Sequence, residues 1–343
     1  MRKRSAPPAW VRFNDEDLLK LRFRDLGVTI KGTVLETRLD ALNRELAGKN
    51  ILARPHAWIS DEWFSPDNTP GISFPFYLAH PRLSRLERRM MHTVEGGTRT
   101  ECMRILRHEA GHVVQHAYGL HRRRKWQMLF GRSSTPYPSY YRPDPRDQRY
   151  VQHLRNWYAQ CHPDEDFAET FAVWLTPRST WRKTYADWQA IEKLEYVDEL
   201  MKEIAGEKPI LSSRLEVDPV GKLSQTLGEH YDGKRVHYAK DGMAKFDGDL
   251  LRIFSCDRRH RTAPAASAFI RRTREEIRKS VSRRAGDCGV PVNDMIDDVI
   301  DRCRFLNLRA PGSERRLRGD LSSFLADKSI HSLYTSRRQW IAV

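Results

Sequence analysis

The chain has 343 residues, 39% of them hydrophobic, and a formal net charge of +15. This length can hold two domains and this apolar content can form a core, but no window approaches the roughly 18 apolar residues of a membrane span, so we expect no membrane partner. The basic excess is spread over both halves, and its densest runs (121–125, 258–261 and 271–284) lack interleaved aromatic residues. These features argue against a nucleic-acid partner and favour a solvated basic surface.

The first third of the chain predicts helices followed by strands. Leucines recur at helical spacing within residues 14–48, and Gly48 ends the run, which indicates one or two amphipathic helices. Residues 57–64 are typical of a short strand. Residues 71–79 alternate between two faces, and the internal Pro75 assigns them to the edge of a sheet. Such an edge could bind a substrate peptide by β-addition, although an edge strand that binds nothing fits the pattern almost as well.

Residues 101–118 contain the most informative motif of the chain. They are free of proline, have helical periodicity and include His-Glu-Ala-Gly-His, beginning at His108. Positions four apart lie on one face of a helix, so His108 and His112 can bind one metal ion. Glu109 lies beside them and can take a proton from a water molecule at the metal. Gly111 costs about 1 kcal/mol relative to alanine inside a helix, which suggests a close approach by a backbone or a substrate, or simple helix packing.

A stretch rich in Pro, Ser and Tyr follows this motif, at residues 131–145. It predicts a long loop, and loops of this length beside a site are often functional. Its tyrosines could line a cleft, although packing against the surface is equally compatible with the sequence; they are Tyr137, Tyr140 and Tyr141.

A second helix is predicted within residues 161–177. Pro163 suits the first helical position, three acidic residues follow in the first turn, and Pro177 marks the end. A zinc site that contains two His needs a third protein ligand, and Glu165 can supply it. Glu169 lies one turn further on the same face and can accept the proton of the other ring nitrogen of a ligand His. The simpler alternative is that these acids only cap and solvate the helix.

The two segments together resemble the gluzincin metallopeptidases. They are more closely similar to the putative zinc-binding metallopeptidase family, whose motifs are H-E-x-G-H and H-P-x-E-D-[FW]-A-E-T-[FW]-A. The corresponding stretches of this chain are residues 108–112 (HEAGH) and 162–172 (HPDEDFAETFA), and the similarity is best over about residues 50–200.

This resemblance implies Zn²⁺ as the cofactor and a role for each motif residue. The implied zinc ligands are His108, His112 and Glu165, and the implied general base is Glu109. Peptidases of the lethal-factor type also carry a Tyr seven residues before the ligand Glu, which is the position of Tyr158 here. A phenol at that position would donate a hydrogen bond to the oxyanion that develops during hydrolysis. Alternatively, Tyr158 is an aromatic residue packed beneath the site.

Other zinc arrangements fit the spacing less well. A metzincin would have a Gly and a His where this chain has Gln115 and Tyr118. His116 continues the row of imidazoles, but it lies about 6 Å further along the helix axis than His112. We therefore expect His116 to flank the site rather than to bind the metal.

The last part of the chain predicts helices without a catalytic constellation. Residues 182–204 have a helical pattern, and similar patterns recur at 222–239, 265–284 and 293–306. Between the first two, residues 206–219 are polar with Gly and Pro, which is typical of a linker.

We therefore expect an α+β fold with two domains. Residues 1–205 would form a mainly helical, zincin-like metallopeptidase domain with a small antiparallel sheet. Residues 220–343 would form a helical accessory domain that covers the cleft or recruits a protein partner.

The cysteines indicate a reducing compartment. There are five, they form no C-x-x-C pair, and their number is odd. The first 20 residues contain no apolar stretch long enough for a signal peptide. A cytoplasmic location is the simplest expectation.

The function that these patterns favour is zinc-dependent hydrolysis of a peptide bond in a peptide or protein substrate. One alternative is a basic nucleic-acid-binding protein with a structural zinc ion. Another is a partner-binding protein with a vestigial site. A structural zinc site normally has four protein ligands and needs no neighbouring Glu, so the presence of Glu109 favours the hydrolase.

Overall fold

A computed structural model describes residues 7–91, 93–239, 247–285, 292–334 and 341–342. The chain divides into two compact units. The first unit comprises Met1–Pro138 and Gln148–Val236, and the second comprises Ser139–Asp147 and His237–Val343. Both are mainly helical, as expected.

The first unit contains most of the helices and the larger pair of strands. Its strands are β1 (His56–Ser60) and β2 (Gly71–Pro75). Its helices are α1 (Asp15–Leu19), α2 (Val34–Gly48), α3 (Pro81–Met91), α4 (Arg99–Ala117), α5 (Arg124–Phe130), α6 (Pro163–Leu175), α7 (Trp181–Thr184), α8 (Ala190–Glu203) and the greater part of α9 (Leu227–Ala239).

The two strands of this unit are parallel, so the expectation of an antiparallel sheet is wrong. The register runs from His56 opposite Gly71 to Ser60 opposite Pro75. Residues 61–70 carry the chain back to the level at which β1 starts, and β2 therefore runs in the same direction as β1. The period-2 pattern in the sequence indicates strands but contains no information about their relative direction.

Strand β2 is also not the open edge that Pro75 suggested. All five of its residues are buried, and the chain leaves the extended conformation at Phe76 for a short 3-10 turn. The returning segment covers the strand, because the Ser73 N–H donates to the Phe64 carbonyl at 2.9 Å and the Ser73 hydroxyl donates to the Glu62 carbonyl. Among the described residues, the side of β2 that faces away from β1 is therefore occupied at Ser73, and peptide binding along this strand stays a prediction.

Helices α4 and α6 pack closely against each other in this unit. Helix α4 begins with a capping box, in which Thr98 and Glu101 each bond the backbone of the other. Helix α6 begins with His162 as its N-cap and Pro163 in its first turn. A Cβ atom at Gly111 would lie 2.7 Å from the Ala168 Cα, so glycine is what allows this close approach.

The segment that the sequence assigned to a linker packs on the first unit. The Trp58 indole donates to the Val217 carbonyl at 2.8 Å, and the Ser60 hydroxyl donates to the Asp218 carbonyl at 2.6 Å. The compact units divide after Val236, later than the predicted boundary. The assignment of separate roles to residues 1–205 and 220–343 stays a prediction.

The second unit has its own helices and its own core. Its helices are α10 (Asp247–Ile253), α11 (Ala266–Arg272), α12 (Arg274–Ala285), α13 (Val292–Phe305) and α14 (Glu314–Tyr334). A two-residue strand β3 (Tyr140–Tyr141) pairs antiparallel with β4 (Ile341–Ala342). The core is formed by apolar residues of these helices, such as Ile277, Val281, Ile296 and Leu321.

Two expectations from the sequence concern both units: the absence of a membrane span and the state of the cysteines. None of the helices in the described ranges is long and apolar enough to cross a membrane. Cys102, Cys161 and Cys303 are buried free thiols and Cys256 is an exposed one, while Cys288 lies outside the described residues.

Candidate metal centre

Three side chains from α4 and α6 converge in the first unit. The Nε2 atoms of His108 and His112 lie 3.2 Å apart. The Oε2 atom of Glu165 lies 2.9 Å from the first of these nitrogens and 3.3 Å from the second. All three residues are buried, and together they form a group that could hold a metal ion.

Local sequence explains why these groups meet. The two His are one turn apart on the same face of α4, and Glu165 lies in the first turn of α6. Gly111 faces Ala168 between the two helices and lets them approach. One further hydrogen bond fixes their relative position, because the Gln115 amide donates to the Asp164 carboxylate at 2.7 Å.

The spacing of the three donor atoms fits zinc. Two donors bound tetrahedrally at about 2.0–2.1 Å from one ion lie roughly 3.3 Å apart. The observed separations of 3.2, 2.9 and 3.3 Å are close to this value. Two imidazoles and one carboxylate are also a donor set that Zn²⁺ commonly takes in sites that keep one position open.

Glu169 lies directly behind His108. Its Oε1 atom is 2.8 Å from the His108 Nδ1, the ring nitrogen that faces away from Glu165. The Oε2 atom accepts hydrogen bonds from the backbone N–H groups of His153 at 3.1 Å and Leu154 at 2.7 Å. Both carboxylate oxygens are therefore engaged, and the His108 ring is held with Nδ1 as the donor and Nε2 toward the metal position.

The charges of the group are strongly coupled in the absence of metal. Burial lowers the pKa of His108, but the carboxylates of Glu165 and Glu169 outweigh it and hold that pKa well above its usual range. Burial raises the pKa of Glu165, but His112 and His108 outweigh it and hold that pKa well below its usual range. A metal ion would take the place of the proton that these groups share, and binding should therefore weaken as the pH falls.

Glu109 is buried on α4 between the two His positions. Its backbone carbonyl accepts a hydrogen bond from the Ser65 hydroxyl at 3.3 Å, which places the 61–70 segment beside the site. Burial lowers the pKa of His112, and the charges of Glu165 and, more weakly, Glu109 raise that pKa above its usual value. The charge of Glu109 therefore acts on His112, although more weakly than that of Glu165.

Tyr158 lies against His108, with the two ring centroids 5.7 Å apart. The backbone just before it is unusual, since Asn156 and Trp157 both have positive φ values of 61° and 55°. Burial, followed by the charge of Glu165, raises the pKa of Tyr158. The side chain of Tyr158 also hydrogen-bonds that of Cys161.

The remaining imidazole of the row, His116, lies outside the group. Its Nε2 atom is 3.2 Å from the Asp67 carboxylate, and its ring centroid is 5.2 Å from that of His121. The position of His116 one turn further along α4 accounts for this separation from His112.

Sequence reasoning underrated two residues of the site. Tyr137, named only as one of three tyrosines that could line a cleft, donates a hydrogen bond from its hydroxyl to Glu165 Oε1 at 2.8 Å. His162, noted only as part of a motif, stacks on the Tyr137 ring with centroids 3.7 Å apart. The composition of the 131–145 loop was the only signal, and it did not distinguish Tyr137 from Tyr140 and Tyr141, which belong to the second unit.

Comparison with known proteins agrees with this geometry. Residues 86–220 match the model of a family described as a putative zinc-binding metallo-peptidase, which confirms the predicted resemblance over that stretch. The match includes α4 and α6 and ends before α10. The curated proteins and the solved structures gave no match.

Proposed function

We propose that this protein is a zinc-dependent hydrolase of peptide bonds with a gluzincin-type site. The observation that carries the proposal is the convergence of two imidazoles and one carboxylate at zinc spacing, with Glu109 adjacent on the same helix. The group contains three protein ligands rather than the four of a structural zinc site, so one coordination position stays available for chemistry.

Each residue around the group would have a separate role in hydrolysis. His108, His112 and Glu165 would hold the divalent ion, whose chemistry would be to lower the pKa of a water and to polarise a substrate carbonyl. Glu109 would accept the proton of the attacking water and deliver it to the leaving amine. Glu169 would fix the tautomer and orientation of His108, since it bonds the far ring nitrogen.

Tyr158 would stabilise the oxyanion that forms as water adds to the carbonyl. Its ring lies beside His108, and a tyrosine hydroxyl is protonated and able to donate near neutral pH. A fixed donor aimed at developing charge in a buried site contributes more than the same donor in water.

The proposed substrate is a peptide or a protein, and the proposed location is the cytoplasm. The alternative of a zinc site retained only for partner binding predicts metal without hydrolysis. We propose an accessory role for the second unit.

The test compares zinc content and peptide hydrolysis in the wild type and in two variants. We expect the wild type to bind about one zinc per chain and to cleave members of a library of quenched-fluorescent peptides. Glu165→Ala should lose most of its zinc, because one of three ligands is removed. Glu109→Gln should keep zinc but lose hydrolysis by at least about 100-fold, as expected for loss of a general base.

A matched control removes a carboxylate that has no place in the site. Glu199 is an exposed residue of α8 that pairs with Lys125 at 2.9 Å. Glu199→Gln should keep both zinc and activity. Equal zinc retention in Glu165→Ala would show that Glu165 is not a ligand, and unchanged hydrolysis in Glu109→Gln would refute the proposed base.

A further inference from the structure

The segment that joins the two metal-binding helices is fastened to the start of α6. We call residues 131–137 the α6 strap. The Ser133 hydroxyl donates to Asp164 Oδ2 at 2.8 Å, and the His162 Nε2 lies 2.6 Å from the Thr135 carbonyl. The other ring nitrogen of His162 accepts the Asp164 N–H at 3.2 Å, so His162 caps the helix and holds the strap at the same time.

Tyr137 ends the strap at the metal centre. Its ring stacks on the His162 ring at 3.7 Å with the planes 13° apart, which fixes the direction of its hydroxyl. Tyr137 as a residue is 49% exposed, whereas Glu165, whose carboxylate the hydroxyl reaches, is only 5% exposed. The hydroxyl therefore enters the site from the solvent side.

The two oxygens of Glu165 consequently have different partners. Oε1 accepts the Tyr137 hydroxyl at 2.8 Å. Oε2 faces the Nε2 atoms of His108 and His112 at 2.9 and 3.3 Å. A hydrogen bond to a carboxylate oxygen is charge-assisted and therefore among the stronger kinds, so Oε1 is not free to turn toward the metal.

We infer that Tyr137 is a positioning residue that keeps Glu165 a one-oxygen ligand of the metal. The inference rests on the proposed function. If both oxygens of Glu165 bound the ion, the second would join as a fifth ligand and crowd the coordination position that catalysis needs. The strap therefore preserves the open position by holding Oε1 away, and Tyr137 does so without contacting the metal or the reacting atoms.

The test uses Co²⁺ as the probe, because its visible d–d bands lose intensity when a fifth ligand joins a four-coordinate ion. Tyr137→Phe keeps the stacked ring and removes only the hydroxyl. We expect this variant to bind one Co²⁺ per chain, as the wild type does, but with weaker visible bands. With zinc, its kcat on a cleaved library peptide should fall by about 10- to 100-fold, with KM changed much less.

The matched control is Tyr140→Phe, which removes a hydroxyl from the same stretch of chain. Tyr140 is 38% exposed, and its hydroxyl makes no hydrogen bond within the described residues. Far-UV circular dichroism and thermal unfolding should show both variants folded like the wild type. The Co²⁺ spectrum of Tyr140→Phe should equal that of the wild type.

The possible failures are distinguishable. A wild type that binds neither Zn²⁺ nor Co²⁺ would refute the proposed function itself. A wild type that binds metal and cleaves peptides, together with a Tyr137→Phe variant whose Co²⁺ spectrum is unchanged, would overturn the inference alone. A folded Tyr137→Phe variant that binds no Co²⁺ would also overturn it, because Tyr137 would then be needed for binding rather than for geometry.

Discussion

The close contact of α4 with α6 at Gly111 gives the sharpest prediction. An alanine at Gly111 would place its Cβ 2.7 Å from the Ala168 Cα and 3.1 Å from the Ala168 Cβ and carbonyl oxygen. Carbon atoms in contact prefer separations of about 3.5–4.0 Å. The neighbour that must yield is helix backbone, so α4 and α6 would have to separate by roughly 1 Å.

Two opposing effects determine the stability of Gly111→Ala. Alanine is favoured over glycine inside a helix by about 1 kcal/mol, whereas overpacking a close-packed contact costs about 1–3 kcal/mol. We therefore expect a net loss of about 0–2 kcal/mol in the free energy of unfolding. Activity should fall further, by about 100-fold in kcat/KM, because a 1 Å displacement of α6 moves Glu165 away from both imidazoles.

The assay combines urea unfolding with zinc competition against a chelator. Gly233→Ala is the matched control, because Gly233 lies in helix α9 and an added Cβ there meets no atom within 4 Å. That variant should gain up to about 1 kcal/mol and bind zinc as the wild type does. A Gly111→Ala variant that is as stable as Gly233→Ala and binds zinc with unchanged affinity would refute the proposed contact.

Three further predictions follow from the surroundings of the metal group. Glu169→Gln should weaken zinc binding by about 10- to 100-fold in chelator competition, because the amide cannot replace the carboxylate behind His108; unchanged affinity would remove Glu169 from the site. Tyr158→Phe should keep its zinc and lose about 100-fold in kcat, as expected when an oxyanion donor is removed, and an unchanged kcat would make Tyr158 a packing residue. Burial lowers the pKa of His153 in the folded protein to about 4, whereas the pKa of an unfolded His is about 6.5. The neutral imidazole therefore contributes to the stability of the fold above pH 6.5, and this contribution is lost as the pH falls toward 4. Between pH 6.5 and 5 the loss in metal-free protein should be about 2 kcal/mol, and a His153→Gln variant with the same pH dependence in urea unfolding would contradict this assignment.

The parts of the structure that could be predicted from the sequence are those that depend on short-range spacing. The helix that carries His108 and His112 requires only a four-residue interval and a proline-free stretch. The start of the helix that carries Glu165 is indicated by Pro163 and by the acidic residues of the first turn. Both segments contain their own boundary signals, and both lie where they were expected.

Features that depend on contacts between distant segments could not be predicted in the same way. The relative direction of β1 and β2 depends on the path of residues 61–70, and that path depends on Phe64 meeting Ser73. Helix α3 has apolar residues at helical spacing, but the burial of Arg82 and Glu87 on it could not be predicted from that pattern. Arg82 can be buried there because it pairs with Asp15 at 2.7 Å, a partner far away in sequence.

The two carboxylate oxygens of Glu165 have different partners, and this difference also depends on contacts between distant segments. A motif can assign Glu165 as a ligand, because its spacing from the other motif residues is fixed along one helix. It cannot specify how many oxygens the ligand offers, since that depends on Tyr137, a residue of the irregular segment that joins the helices. The stacking of Tyr137 on His162, the N-cap of α6, ties this segment to the start of that helix. The sequence between α4 and α6 should therefore influence turnover even when every motif residue is intact.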